Sequence, residues 1–191
     1  MNRAADVAFA GVSLVLVSPL LGLAALATKL ESGGPILYRQ TRVGRHGKEF
    51  EVLKLRTMVV GAEMLGAGYA VDQGDARITR VGRILRRTSI DELPQLWNIL
   101  RGDMSVIGPR PTLRYQVEQY DERQQRRLEI RPGLTGWAQV QGRASLPWAD
   151  RIELDVWYVD NRSPRVDLEI LLRTPLALFR GTYRGATGGW R

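Results

Sequence analysis

The sequence predicts a helix-rich α+β protein: an N-terminal re-entrant membrane helix-break-helix, a small β-hairpin, and interfacial amphipathic helices around a compact polar domain. Three observations carry this. From Val7 to Thr28 run 22 consecutive uncharged residues, interrupted by Ser18-Pro19. Residues 36–43 and 49–55 are strand-like runs joined by Gly44-Arg45-His46-Gly47. From residue 79 onward, apolar residues recur at helical spacing among arginines. A chain of 191 residues holds one domain with a short appendage, so the expected division is an anchor over residues 1–31 and a polar domain over 32–191.

As one straight helix the apolar run would be about 33 Å long, against a hydrocarbon core of roughly 30 Å. Pro19 sits at its centre, removes a backbone donor and crowds the carbonyl four residues back, so a kink is expected there. The Ser18 hydroxyl is a ready local partner for a freed carbonyl. Two half-helices of about 11 residues, each roughly 17 Å, would dip into one leaflet and return. Basic residues on both flanks, Arg3 before and Lys29, Arg39 and Arg42 after, fit two ends emerging on one cytoplasmic face. Three rivals stand beside this reading. Ala25-Leu26-Ala27 has a signal-peptide cleavage pattern, but the run exceeds the usual apolar region. A kinked spanning helix is left open by hydropathy, and a buried core helix fits least well with so long a run.

The hairpin places His46 at a solvated tip. Residues 61–76 hold four glycines and read as a flexible loop. Thr79 to Arg87 forms a basic helix with Val81, Ile84 and Leu85 on one side. It is either a solvated face or an amphipathic helix at an anionic membrane surface, with some arginines turned toward phosphate. Ser89 and Glu92 match a capping box, which starts a helix from Ile90 to Leu100 with Leu93, Leu96, Trp97 and Leu100 as its apolar stripe. Residues 102–111 read as a rigid turn-rich loop. A charged helix from Leu113 to Glu129 should stop at Arg131-Pro132-Gly133, Trp137 to Gln141 reads as a short strand, and Asp167 to Phe179 as an amphipathic stretch interrupted by Pro175.

Composition limits the chemistry. Cysteine is absent and His46 is the single histidine, so disulfides, thiolate metal sites and multi-histidine zinc sites are excluded. With 28 basic and 20 acidic residues the net charge is +8, and 25 of the cations are arginine. The partners expected are therefore anionic: nucleic acid, anionic lipid or a phosphorylated substrate. Asp91-Glu92 is the sharpest constellation. Taken alone, such a pair is most often a cap. Placed in a first helical turn near Arg86 and Arg87, however, Asp91 should be ionised, with a low pKa, and usable as a nucleophile. Lys54, Arg56, Arg86, Arg110 and Arg143 come from separate loops and element ends, so their convergence on two acids points to a phosphate together with Mg²⁺ held by Asp91 and Glu92. Neither a Walker loop nor a Gly-x-Gly-x-x-Gly fingerprint is present. A second reading, a membrane-tethered nucleic-acid-binding module, would explain the charge, but no binding motif or interleaved aromatics accompany it.

Several runs occur together and in order: Arg39-Gln40-Thr41-Arg42-Val43-Gly44, Lys54-Leu55-Arg56-Thr57-Met58, Arg86 to Gln95, Gly108-Pro109-Arg110-Pro111, Pro132 to Trp137 and Leu154 to Tyr158. On these the chain resembles the bacterial sugar transferases, the monotopic polyprenyl-phosphate phosphoglycosyl transferases. The resemblance matches Ser18-Pro19 to the family's break in a re-entrant helix and Asp91-Glu92 to its catalytic dyad. It implies transfer of a sugar-1-phosphate from a nucleotide diphosphate-sugar, commonly UDP-linked, to undecaprenyl phosphate, through a covalent aspartyl-phosphosugar intermediate and with release of the nucleoside monophosphate. That is a first membrane step of glycoconjugate synthesis. It also implies magnesium, with Glu92 holding the ion or orienting phosphate, and donor contacts from Arg86 and Arg110, with Lys54, Arg56 and Arg143 as weaker matches. The location implied is the cytoplasmic face of the bacterial inner membrane, with inner-membrane lipid as a partner and nucleic acid not expected as one; a homo-oligomer is left open.

Overall fold

The computed structural model describes residues 2–65, 74–142 and 146–179. Helix α1 spans Arg3–Glu31, and the Asn2 side chain caps it by accepting from the Ala5 amide. Asp6, Ala10, Leu14, Val17, Leu21, Ala24 and Thr28 recur every three or four residues and form the stripe turned toward the domain. Ala10, Leu14 and Val17 pack with Leu96, Ile99 and Met104, while Leu21 and Ala24 pack with Leu55 and Leu85. The other side leaves Val12, Val15, Leu16, Leu23 and Leu26 bare. Among the described residues α1 is the one helix long and apolar enough to cross a membrane.

Pro19 lies inside α1, and residues 3–31 form one helix rather than two separate ones. The carbonyl that the proline deprives of a donor is that of Val15, and the Ser18 hydroxyl donates to it at 2.8 Å. Both helix ends are tied to the domain. Arg3 donates to the carbonyls of Ile99 and Leu100, and Glu31 accepts from the amides of Arg80 and Val81 at 2.7 and 2.9 Å.

Strands β1 (Leu37–Val43) and β2 (Glu49–Leu55) form the expected antiparallel hairpin, with Leu37 opposite Leu55 and Val43 opposite Glu49. His46 sits exposed in its tip. Helix α2 (Arg80–Thr88) is capped by Thr79 and lies close against the end of β2 because residue 82 is glycine; a Cβ there would stand 2.0 Å from the Thr57 carbonyl oxygen. Arg80, Arg83, Ile84 and Arg87 face outward from it, whereas Arg86 turns inward.

The helix expected from Ile90 is shorter and begins later. Ile90–Glu92 is a single 3-10 turn, and helix α3 runs Gln95–Arg101. Ser89 is not an N-cap: it adopts the left-handed conformation, φ 57°, and closes α2 with its amide on the Arg86 carbonyl. Leu96 and Ile99 form the buried side of α3, and Trp97 is half exposed. Asn98, fully buried, pairs with the free edge of β2: its Oδ1 accepts from Leu53 N at 3.0 Å and its Nδ2 donates to Glu51 O at 2.7 Å.

Part of the 102–111 loop is strand β3 (Ser105–Ile107), parallel to β4 (Gly133–Thr135). The single helix expected over 113–129 is three pieces: α4 (Arg114–Val117), α5 (Glu122–Gln125) and a 3-10 turn at Arg126–Glu129. Asp121 restarts the chain by capping α5, its carboxylate accepting from Gln124 N at 2.8 Å. Trp137–Gln141 is a helix, α6, not a strand; Trp137 stacks on Trp157 at 4.8 Å. Trp157 belongs to α7 (Trp148–Asn161), an element not anticipated from the sequence. Helix α8 (Pro164–Phe179) continues through Pro175 and exposes Leu168, Leu172 and Leu176 in a row. The middle of the loop expected over 61–76 lies outside the described residues; its start is a short turn at Ala62–Met64.

Candidate active site

Strand β2, the C-terminal half of α2, the Ile90–Glu92 turn and the loop after β3 converge on a cleft of about 550 Å³. Lys54 reaches it from β2, Arg86 from α2, Asp91 and Glu92 from the turn, and Arg110 from the loop. That loop is set by close backbone packing: a Cβ on Gly133 would lie 2.0 Å from the Gly108 nitrogen. Its course is fixed further by Val43 N donating to Thr112 O at 2.9 Å and by Arg127 donating to the Arg110 carbonyl at 3.2 Å.

The two acids have opposite surroundings. Glu92 Oε1 accepts from Lys54 Nζ at 2.8 Å and from Arg110 Nη2 at 2.5 Å. Burial alone would raise its pKa, but Arg110 and Lys54 outweigh it and hold the carboxyl well below the ordinary value. Arg110 is raised in return, first by the Glu92 charge. Asp91 is buried at 7% exposure, and no described side chain hydrogen-bonds its carboxylate. Burial and then the Glu92 charge push it up to about 6, against the pull of Lys54, Arg86 and Arg110. The low-pKa aspartate expected from the sequence is therefore corrected. Asp91 sits in a 3-10 turn rather than the first turn of a helix, and desolvation exceeds the attraction of the cations.

The remaining sequence candidates are distributed as follows. Arg86 donates from Nε to Thr57 Oγ1 at 2.7 Å and lines the cleft. Arg56 also lines it, buried, with Nη2 on the Ser32 carbonyl at 2.7 Å and its other guanidinium nitrogens, Nε and Nη1, lacking a partner among the described residues. Arg143 lies outside the described residues. Ser18 and Pro19 are on the outward side of α1, away from the cleft.

Sequence reasoning missed several cleft residues. Arg42, held by Gln40 at 3.0 Å, has its pKa lowered to about 10 by burial and then by Arg110. It remains a cation at neutral pH. Arg127 and Asp155 form a buried ion pair at 2.6 Å, with the Arg127 guanidinium 5.9 Å from the Trp148 ring centre. Gln139 and Arg151 stand beside them. The usable signal was Asp155 itself, an acid inside the apolar run Leu154 to Tyr158. Among the described residues no three acids or histidines cluster as a metal cage.

The cleft thus holds two adjacent carboxylates among cations, Glu92 neutralised by Lys54 and Arg110 and Asp91 buried beside it, in a domain packed against a long apolar helix. The chain belongs to the bacterial sugar transferase family, whose model matches residues 1–181, and is an enzyme of the transferase class. It is 49% identical over 181 residues to a UDP-glucose:undecaprenyl-phosphate glucose-1-phosphate transferase of Caulobacter vibrioides, covering 91% of this chain and 67% of that protein. It is 42% identical to the uncharacterized sugar transferase EpsL of Bacillus subtilis, covering 91% of this chain and 85% of that one. A UDP-glucose:undecaprenyl-phosphate glucose-1-phosphate transferase of Escherichia coli is 42% identical over 95% of this chain, which spans 40% of that longer protein.

Proposed function

We propose that the protein is a phosphoglycosyl transferase that moves a sugar-1-phosphate from a UDP-linked donor to undecaprenyl phosphate in polysaccharide synthesis. The observation that carries this reading is the buried Asp91 carboxylate, free of hydrogen bonds from described side chains, beside a Glu92 already neutralised by Lys54 and Arg110. An Asp91 oxygen attacks the sugar-bearing β-phosphorus. The O–P bond to Asp91 forms as the bond to the bridging oxygen breaks, and the nucleoside monophosphate leaves with that electron pair. Lys54, Arg86 and Arg110 neutralise charge gathering on the phosphate oxygens. The lipid phosphate then attacks the same phosphorus and releases Asp91.

Magnesium fits the donor set. Among the described residues no side chain hydrogen-bonds the Asp91 carboxylate and Glu92 Oε2 has only a 3.4 Å contact to Arg110, so these two carboxylates and the donor's own phosphates would hold the ion. When bound it would supply further charge neutralisation at the diphosphate.

Helix α1 is read as a monotopic anchor that bends at Ser18-Pro19, enters one leaflet and returns. Both its ends are tied to the same polar domain, which supports their lying on one side of the bilayer. The bare face of α1 would meet acyl chains, and Ile84 and the Leu168–Leu172–Leu176 row would rest at the surface.

The test is incubation of detergent-solubilised protein with a panel of UDP-sugars, Mg²⁺ and polyprenyl phosphate. Release of UMP that depends on a particular sugar, with a lipid-linked product, is expected; no transfer with any donor would contradict the reading. Labelling of Asn2→Cys and His46→Cys from the same membrane side is expected, and labelling from opposite sides would refute the monotopic anchor.

A further inference from the structure

We infer that Gln139, Arg151 and Asp155 form a subsite, next to the phosphate-binding cations, that reads two neighbouring hydroxyl groups on a neutral ring of the donor. The inference rests on the transferase reading above and extends it. Four polar atoms lining this part of the cleft are buried without a hydrogen-bond partner among the described residues: Gln139 Oε1 and Nε2, Arg151 Nε and Asp155 Oδ1. Buried polar atoms are nearly always paired, so such a cluster on a cavity wall needs an explanation. Gln139 is 7% exposed and Asp155 2%.

The set is balanced. Gln139 Oε1 and Asp155 Oδ1 accept, and Gln139 Nε2 and Arg151 Nε donate. A hydroxyl can donate one hydrogen bond and accept another, so two adjacent hydroxyls satisfy all four atoms. Phosphate, which only accepts, would leave both acceptors unpaired and face the Asp155 carboxylate. Asp155 Oδ2 is already taken by Arg127 at 2.6 Å, which cancels charge and leaves Oδ1 for a neutral partner. The framework holds these groups in place. Arg151 and Asp155 are one turn apart on α7. Gln139 is on α6, whose Trp137 stacks on Trp157 of α7. Gly136 leaves room for the amide, since a Cβ there would be 2.8 Å from Gln139 Oε1. The subsite adjoins the acid pair through Arg110, whose guanidinium pairs with Glu92 and whose carbonyl accepts from Arg127.

Neighbouring hydroxyls occur on both the transferred sugar and the ribose of the nucleotide, and the experiment separates them. Gln139→Leu removes both amide groups at similar volume, and Gln139→Glu keeps the shape. Using the full chain in detergent, KM is measured for the donor that the wild type turns over fastest, together with the inhibition constant of UMP. Gln139→Leu should raise the donor KM by about tenfold or more with a smaller change in kcat. If the ribose is read, the UMP constant rises by a similar factor and a 2′-deoxyribose donor loses affinity with the wild type. If the sugar is read, UMP is unaffected and discrimination among sugar epimers relaxes. Should Gln139→Leu fail to fold, Gln139→Glu gives the same comparison. Donor KM and UMP constants within twofold of wild type in a folded variant would overturn the inference. A wild type that transfers nothing would instead overturn the function on which it rests.

Discussion

Raising the pKa of Asp91 to about 6 puts its titration inside the range an assay can scan, and two substitutions should move it in opposite directions. With a pKa of about 6, Asp91 is about 91% ionised at pH 7 and about 9% at pH 5, a loss of about tenfold in the ionised form. The clean readout is the Asp91 carboxyl itself, without Mg²⁺ or donor: its pH titration followed by ¹³C NMR of aspartate-labelled protein in detergent, with Asp91→Asn to assign the signal. In the wild type that signal should titrate with a midpoint near 6. Lys54→Met removes a cation that favours the ionised form, so the midpoint should rise; Glu92→Gln removes the anion that opposes it, so the midpoint should fall. An acid midpoint near 4, the ordinary carboxylate range, or movement of both variants in one direction would refute the electrostatic account of the pair.

Two further outcomes concern stability. The folded pKa of Asp91, about 6, lies above the usual 3.8, so ionisation opposes folding. The cost is absent below the unfolded value, grows between about pH 4 and 6, and reaches about 3 kcal/mol above that. Asp91→Asn should therefore raise the Tm by several degrees at pH 7 and little at pH 4, as followed by thermal unfolding in detergent; a lower Tm at pH 7 would count against the burial cost. Asn98→Leu leaves Leu53 N and Glu51 O without their partner, at about 1–3 kcal/mol for each orphaned group. A clear fall in Tm is expected, and an unchanged Tm would show that the side chain does not close the β2 edge.

What was legible in the sequence was local. The hairpin, the basic helix that follows Thr79, and the role of the Ser18 hydroxyl beside Pro19 all depend on residues within a few positions of one another. The errors arose where distant partners decide. Ser89-to-Glu92 looks like a capping box, yet Glu92 is drawn to Lys54 and Arg110, 38 and 18 residues away. Asp91 reads as a low-pKa group in the sequence because nearby arginines are visible there and burial is not. Trp137 to Gln141 looked strand-like by composition, but its packing on α7 holds it as a helix. The Arg127–Asp155 pair is 28 residues apart, and its one local sign is an acid inside the apolar run Leu154 to Tyr158, which does not name the partner. The apolar stripe of α1 was concealed within a run apolar on every side; only the structure separates the face that joins the core from the one left bare.

The most direct measurement is intact-protein mass spectrometry after incubation with UDP-sugar and Mg²⁺ in the absence of lipid acceptor, followed by peptide mapping. A mass increase of one sugar phosphate on the peptide bearing Asp91, absent from Asp91→Asn and discharged by added polyprenyl phosphate, is the expected result. An adduct that persists in Asp91→Asn, or lipid-linked product formed with no protein-bound phosphosugar at any time, would contradict the account.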